Sequence, residues 1–288
     1  MPVVATNTAA NSALRFLNNN TANAASSVSK LASGSRIVKA SDDAAGLAIG
    51  ARLMADVTAL TQAGINASQG ASVVQVADGG LGRIGDVLQR MKALSAQSLS
   101  GVPTDTERAF IDAEFQQLLG EISDIAETTR FNGASLLGTA GAPAADYFVG
   151  TDVNDTITVD FSTLAASATS FTSRGLGFVG SAGAGTAFVT DVATATAAGV
   201  AMARIDTAIN TISESRATAG ALISRFEFRG QQISTSLENI NAAKSAIMDV
   251  DLAAEQSKLV SNQVLVQAAV SAVSQANQIP QSLLRVLQ

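Results

Sequence analysis

The sequence predicts a mainly α-helical protein: a long antiparallel helical rod or coiled coil, its N- and C-terminal helices paired, with a small β-rich excursion in the middle. Three observations predict it. At the C-terminal end Leu252, Leu259, Val266 and Val273 recur every seven residues, with Val270 and Leu284 on the interleaved position, so a narrow apolar seam runs along one helix. At the N-terminal end Val3, Ala10, Leu17, Ala24 and Leu31 repeat the design, with Leu14 and Val28 interleaved. The composition is 47% apolar but only 4% aromatic, with no Trp, which suits close packing of slender helices better than a thick core of large side chains. The C-terminal helix carries only Glu255, Lys258 and Arg285 as charges; a lone helix this poor in ion pairs is marginal in water. It needs a partner, and the N-terminal helix offers one.

The chain has 288 residues, a net charge of -6 and a pI near 4.7. Such a balance excludes a nucleic-acid partner, because phosphate binding requires clustered Lys and Arg. With no Cys and no His, thiol catalysis, disulfides, imidazole base chemistry and most zinc sites are removed, so no catalytic, cofactor or metal residue is expected. The first residues lack the basic-then-apolar order of a secretory signal, and no run of 18 apolar residues occurs; a soluble protein without a membrane span is expected. The first forty residues hold Arg15, Lys30, Arg36 and Lys39 but no acid, which reads either as a solvated helix or as a cationic arm meeting acidic neighbours.

Gly34 ends the first helix, and Ser41-Asp42-Asp43 supplies an N-cap with negative charge for the next, so a hinge between two helices is expected. Val74, Leu81 and Leu88 with Ala77, Ile84 and Met91 continue the heptads. Gly79, Gly80, Gly82 and Gly85 interrupt them at a cost of about 1 kcal/mol each relative to Ala, which implies a kink or a very close neighbour. A phosphate loop is not implied, since neither a preceding strand nor a following Lys-Ser/Thr is present. Gly101-Val102-Pro103 closes this helix, and Thr104 with Glu107 has capping-box spacing. Ile111, Phe115, Leu118, Ile122 and Ile125 then form a stripe to about Thr129; Glu114, Glu121 and Glu127 read as its solvated face, not as an acid–base pair.

Asn132-Gly133 marks a turn, and Tyr147–Gly150 and Thr156–Phe161 read as two strands joined around Asn154-Asp155. Residues 165 to 197 are Gly, Ala, Ser and Thr with few anchors and read as surface loops. Helical pattern returns near Val200 with Ile205, Ile209, Ile212, Leu222, Phe226, Ile233, Leu237, Ile240 and Ile247. The domains expected are 1–40 plus 250–288, a terminal coiled coil, and 41–249, a core helical domain carrying the hairpin and loops at about 130–199.

Several of these segments also resemble one family. Ser33-Gly34-Ser35-Arg36-Ile37, Ser41-Asp42-Asp43-Ala44-Ala45-Gly46-Leu47-Ala48-Ile49, the helix around Leu88–Gln97, Ala242–Ile247 with Asp249-Val250-Asp251, and Ser274–Gln281 are similar to the signature segments of bacterial flagellins. The resemblance covers both ends and most of the middle. It implies a secreted, extracellular subunit that self-assembles as a homopolymer into the helical flagellar filament for motility. It further implies export by the flagellar type III route, with an export chaperone, cap and hook-associated proteins as partners. The expected assembly residues are Leu14, Leu17, Val28, Leu31, Leu259, Val266, Val270 and Val273. In flagellins sensed by the host Toll-like receptor, a surface matching Arg90, Leu94 and Glu114 forms the contact; Lys92, Ala93 and Ala96 depart from such flagellins, and weaker binding is expected. The alternatives are a flagellar hook-associated junction protein, separable by its assembly, and a secreted adhesin or host-sensed ligand. An enzyme of the metallopeptidase-insert kind would need His, which the chain lacks.

Overall fold

The computed structural model of the chain describes residues 7–138, 144–160, 176 and 191–286, with side chains to residue 278 in the last helix. Val3, the side chain of Leu284 and most of the segment read as surface loops lie outside the described residues. The elements are α1 (Thr8–Ser33), α2 (Ala44–Leu99), α3 (Asp105–Thr128), β1 (Arg130–Phe131), β2 (Ala134–Ser135), β3 (Ala145–Phe148), β4 (Thr156–Val159), α4 (Ala195–Met248) and α5 (Leu252–Val286). The long helices α2 and α4 pair, as do α1 and α5, so the mainly helical, terminus-paired fold is the one observed. Two compact units result: residues 1–57 with 238–288, and residues 58–237. The helix breaks from which the sequence places its boundaries, at 34–43 and 249–251, both fall inside the first unit.

The second unit is organised on α2. Val74, Ala77, Leu81, Ile84, Leu88 and Met91 are all fully buried, the seam their spacing predicts. Opposite them α4 buries Ala201, Ile205, Ala208, Ile212, Ala219, Phe226 and Ile233. The two helices run antiparallel: Lys92 pairs with Asp206, and Asp78 accepts from Nε of Arg216 at 2.9 Å. A third helix, α3, lies against them and buries Ile111, Phe115, Leu119, Ile122 and Ala126. Its expected stripe is displaced at two places, Leu119 and Ala126 replacing Leu118 and Ile125, which are half-buried. The core takes every third or fourth residue whatever its size, and the one-residue offset is 100° of helix. Thr104 and Glu107 form the predicted capping box, which holds the Glu107 carboxyl below its usual range through the Thr104 N–H and hydroxyl.

α2 passes without interruption through its glycine cluster. At Gly80 the reason is close approach: an added Cβ would lie 2.6 Å from the Thr129 hydroxyl and 2.8 Å from a Leu137 methyl. Gly79 has no such neighbour, and nothing in the structure explains that residue. A similar approach occurs at Gly70, where the Phe226 ring lies 2.6 Å from the position of a Cβ.

The β excursion is two separate hairpins. β1 and β2 are joined by Asn132 (φ 49) and Gly133 (φ 82), the paired left-handed residues that a two-residue hairpin turn demands. β3 and β4 pair from Ala145↔Val159 to Phe148↔Thr156. Asn66 of α2 donates to the Phe148 carbonyl at 3.0 Å, Arg229 of α4 pairs with Asp155 at 3.5 Å, and Tyr147 sets its ring edge-on to Phe226 at 5.6 Å. Beyond β4 the chain is caught again at Val192, whose N–H donates to Asp112 at 2.9 Å and whose carbonyl accepts from the Ser98 hydroxyl.

Candidate assembly surface

In the first unit α1 lies antiparallel on α5. The α1 residues withdrawn from solvent are, besides Lys30, Ala10, Ala13, Leu17, Asn20, Ala24, Ser27 and Leu31; those of α5 are Glu255, Leu259, Asn262, Val266, Ala269, Val273 and Ala276. Both sets alternate steps of three and four, as a heptad seam must. Two polar contacts fasten them. Asn7 Nδ2 donates to the Ala276 carbonyl at 2.8 Å, and the Ser27 hydroxyl donates to the Glu255 carboxylate. In the register these define, Leu17 comes level with Val266 and Ala24 with Leu259.

The seven-residue series therefore lies on the seam, but the interleaved positions differ from expectation. Ala13 and Ser27 occupy them on α1 in place of Leu14 and Val28, and Ala269 on α5 in place of Val270. Small side chains there let the helices approach closely, and a count by size alone picks the larger neighbour 100° away. Of the expected assembly residues, Leu17, Leu31, Val266 and Val273 are half-buried and Leu259 is buried, all on the intrachain seam. Leu14, Val28 and Val270 remain 47%, 50% and 53% exposed. With Phe16 on α1, and Leu252, Val260, Val264 and Leu265 on α5, they leave large apolar side chains uncovered around the outer sides of both helices, outside a seam already closed. Exposed apolar patches of this kind mark interaction surfaces.

The connectors on either side of this pair explain the signature segments residue by residue. Gly34 adopts φ 68 and ends α1. Ser35 bridges Asp249, the Arg36 N–H donates to the Met248 carbonyl at 2.6 Å, and the Val250 N–H to the Gly34 carbonyl at 3.1 Å. The Arg36 guanidinium donates to the Ile247 carbonyl at 2.9 Å, a cation at the C-terminal end of α4, while Asp43 accepts from the Gly46 N–H and Asp251 from the Ala253 and Ala254 N–H groups at the starts of α2 and α5. Each charge has the sign its helix end favours. Asp42 accepts from the Lys39 and Val38 N–H groups, which hold its carboxyl below the usual carboxylate range. Glu255, its side chain 8% exposed, is likewise lowered, first by the Ser27 hydroxyl and then by Lys258, against the opposing effect of burial.

The three residues of the host-receptor expectation do not share one surface. Arg90 of α2 donates from Nε and Nη2 to Glu114 Oε1 of α3 at 2.8 and 2.7 Å, with both side chains about half exposed. Leu94 is 2% exposed, inside the core of the second unit. Among the described residues no group of three His, Cys, Asp or Glu is placed to hold a metal.

A chain whose ends pair with each other, and whose paired ends leave large apolar side chains uncovered, has the features of a self-assembling structural subunit. Residues 4–141 match the bacterial flagellin N-terminal helical region, and residues 202–287 the bacterial flagellin C-terminal helical region. The chain belongs to the bacterial flagellin family. It is 34% identical over 281 residues to the flagellar filament 30.7 kDa core protein of Treponema maltophilum, covering 95% of each chain. To the flagellin of Listeria monocytogenes it is 37% identical over 262 residues, covering 90% of each. Among solved structures, Bacillus cereus flagellin is 26% identical with a TM-score of 0.48, covering 62% of this chain and 94% of that one. As a flagellin, this chain is a structural, non-enzymatic subunit of the extracellular flagellar filament.

Proposed function

We propose that the chain polymerises by burying the exposed apolar side chains of its terminal helix pair against neighbouring copies, and that residues 1–40 with 250–288 form the inner wall of the filament. The observation that carries this reading is the exposure of Leu14, Phe16, Val28 and Val270 beside a seam that Leu17, Leu259 and Val266 have already closed. A patch of one copy that meets a different patch of the next makes a contact that does not close, and repetition gives a helical filament. The inner seam supplies the pairing within a subunit and the outer apolar side chains the pairing between subunits. Export runs through the flagellar type III route, with a chaperone in transit and the cap and hook-associated proteins at the ends of the polymer; the chain suits a narrow conduit, having no disulfide to block threading.

Electron microscopy of purified protein left to polymerise tests the reading. Wild-type protein should give long filaments, and Leu14→Asp with Val28→Asp should leave monomers whose second unit melts unchanged. Short closed assemblies would favour a hook-associated junction. Filaments formed by the double variant would place the assembly contact elsewhere. A second reading rests on the solvent-facing Arg90–Glu114 pair: this surface engages the host Toll-like receptor with less affinity than a strong agonist, and Leu94 acts only by supporting α2 from beneath.

A further inference from the structure

The apolar layers of the terminal pair cannot choose their own register. Ala10, Leu17, Ala24 and Leu31 on α1, like Leu259, Val266 and Val273 on α5, repeat every seven residues, so a slip of one heptad would again set apolar side chains face to face. Something that does not repeat has to break the tie.

Pro280 lies inside α5, which runs on to Val286. A proline carries no backbone N–H, so the carbonyl four residues before it loses its helical donor. That carbonyl belongs to Ala276, a residue 8% exposed, and an unmatched carbonyl in such a place is costly. It is the carbonyl to which Asn7 Nδ2 donates at 2.8 Å. The same amide faces the other way as well: Asn7 Oδ1 accepts from the Ala10 N–H at 3.0 Å and caps the start of α1. The two roles fix the orientation of the amide, since one partner can only donate and the other can only accept.

We infer that Asn7, Ala276 and Pro280 form a clasp that sets where α1 begins and, together with the Ser27–Glu255 hydrogen bond nearer the other end of the pair, which heptad register it takes on α5. The proline creates one acceptor on the face of α5, and a single asparagine both answers it and starts the opposing helix. In a slipped pair the Ala276 carbonyl stands unanswered and the first turn of α1 lies away from its partner.

A cycle of variants in the filament tests the clasp. Asn7→Asp keeps the capping oxygen and removes the donor; Pro280→Ala restores the helical N–H to Ala276. Amide hydrogen exchange at Ala10–Leu14 should be about fivefold faster in Asn7→Asp than in wild type, the worth of one net hydrogen bond. With Pro280→Ala in the background, the same change should accelerate exchange less than twofold. Register is read with cysteines, which the natural chain lacks: Asn20→Cys with Ala269→Cys, one heptad out of register, should cross-link several-fold faster once Asn7→Asp is added. An equal effect of Asn7→Asp in both backgrounds, or an out-of-register cross-link that ignores Asn7, overturns the inference. Neither result bears on polymerisation itself, because filaments grown from wild-type protein are the reference.

Discussion

Substituting Ala at Gly70 should change sign with its surroundings. Gly70 lies on α2 where the three heavy atoms nearest to an added Cβ, at 2.6, 2.6 and 3.2 Å, all belong to the ring of Phe226. That ring is itself 1% exposed and braced edge-on by Tyr147, so it cannot simply swing aside. Two opposing magnitudes decide the outcome. Alanine is better than glycine within a helix by about 1 kcal/mol, whereas forcing a methyl into a packed ring costs about 1–3 kcal/mol. Gly70→Ala should therefore destabilise the second unit by about 1 kcal/mol net, near the middle of that range. Phe226→Ala alone should cost about 3–5 kcal/mol. With the ring gone, the collision disappears and Gly70→Ala should stabilise by about 1 kcal/mol, a coupling of about 2 kcal/mol across the cycle. Thermal unfolding followed by circular dichroism would show this as a downward shift of about 2–4 °C in one background and a similar upward shift in the other. An upward shift in both would refute the reasoning, since the ring would then have to yield freely.

Acidification should loosen the terminal pair at Glu255. Its carboxyl is depressed below its ordinary value of 4.5 by the Ser27 hydroxyl and Lys258, so the stabilisation is complete above that value and is lost as pH falls through the depressed one. Glu255→Gln should weaken filaments at neutral pH and flatten their loss below about pH 4, read by light scattering; an unchanged acid profile would discard the assignment. Separate monomer and filament samples should differ most at α1 and α5 in hydrogen exchange, because their exposed apolar side chains are covered only when neighbours arrive; strong protection of α1 in the monomer would contradict this. Arg90→Ala should lower a Toll-like receptor reporter signal while shifting the melting temperature by no more than a few degrees, since a half-exposed ion pair contributes at most about 1 kcal/mol; full signalling would move the contact elsewhere.

Legibility followed side-chain size. On α2 the seam is written in Val74, Leu81, Ile84, Leu88 and Met91, large residues at every seam position but Ala77, and periodicity alone reads it. On α1 only Leu17 and Leu31 among the seam residues are large; the others include Ala13, Asn20 and Ser27, whose burial hydropathy does not reward, so periodicity picks Leu14 and Val28 instead. The hinge was found through Gly34 and Asp43, whose roles are local. The roles of Arg36 and Asn7 were not readable, because each acts on a carbonyl more than two hundred residues away in sequence. The burial of Leu94, 2% exposed, is equally unreadable, because a receptor contact matched along one helix gives no sign of what packs against that helix.

The hold on Val192 has a consequence for how much this chain can vary. The Ser98 hydroxyl and the Asp112 carboxylate grip the backbone of Val192 by its carbonyl and N–H, contacts that no particular side chain at that position has to supply. On the other side Val159 is paired to Ala145 and fully buried. Both ends of the intervening stretch are thus fastened independently of what lies between them. The closure cost of an added flexible insert rises by only about 0.6 kcal/mol per doubling of its length, so the interval between Val159 and Val192 can act as a splice site. A peptide or a whole folded cargo inserted there would be carried once per subunit, in as many copies as the polymer has members, while the helices keep their packing.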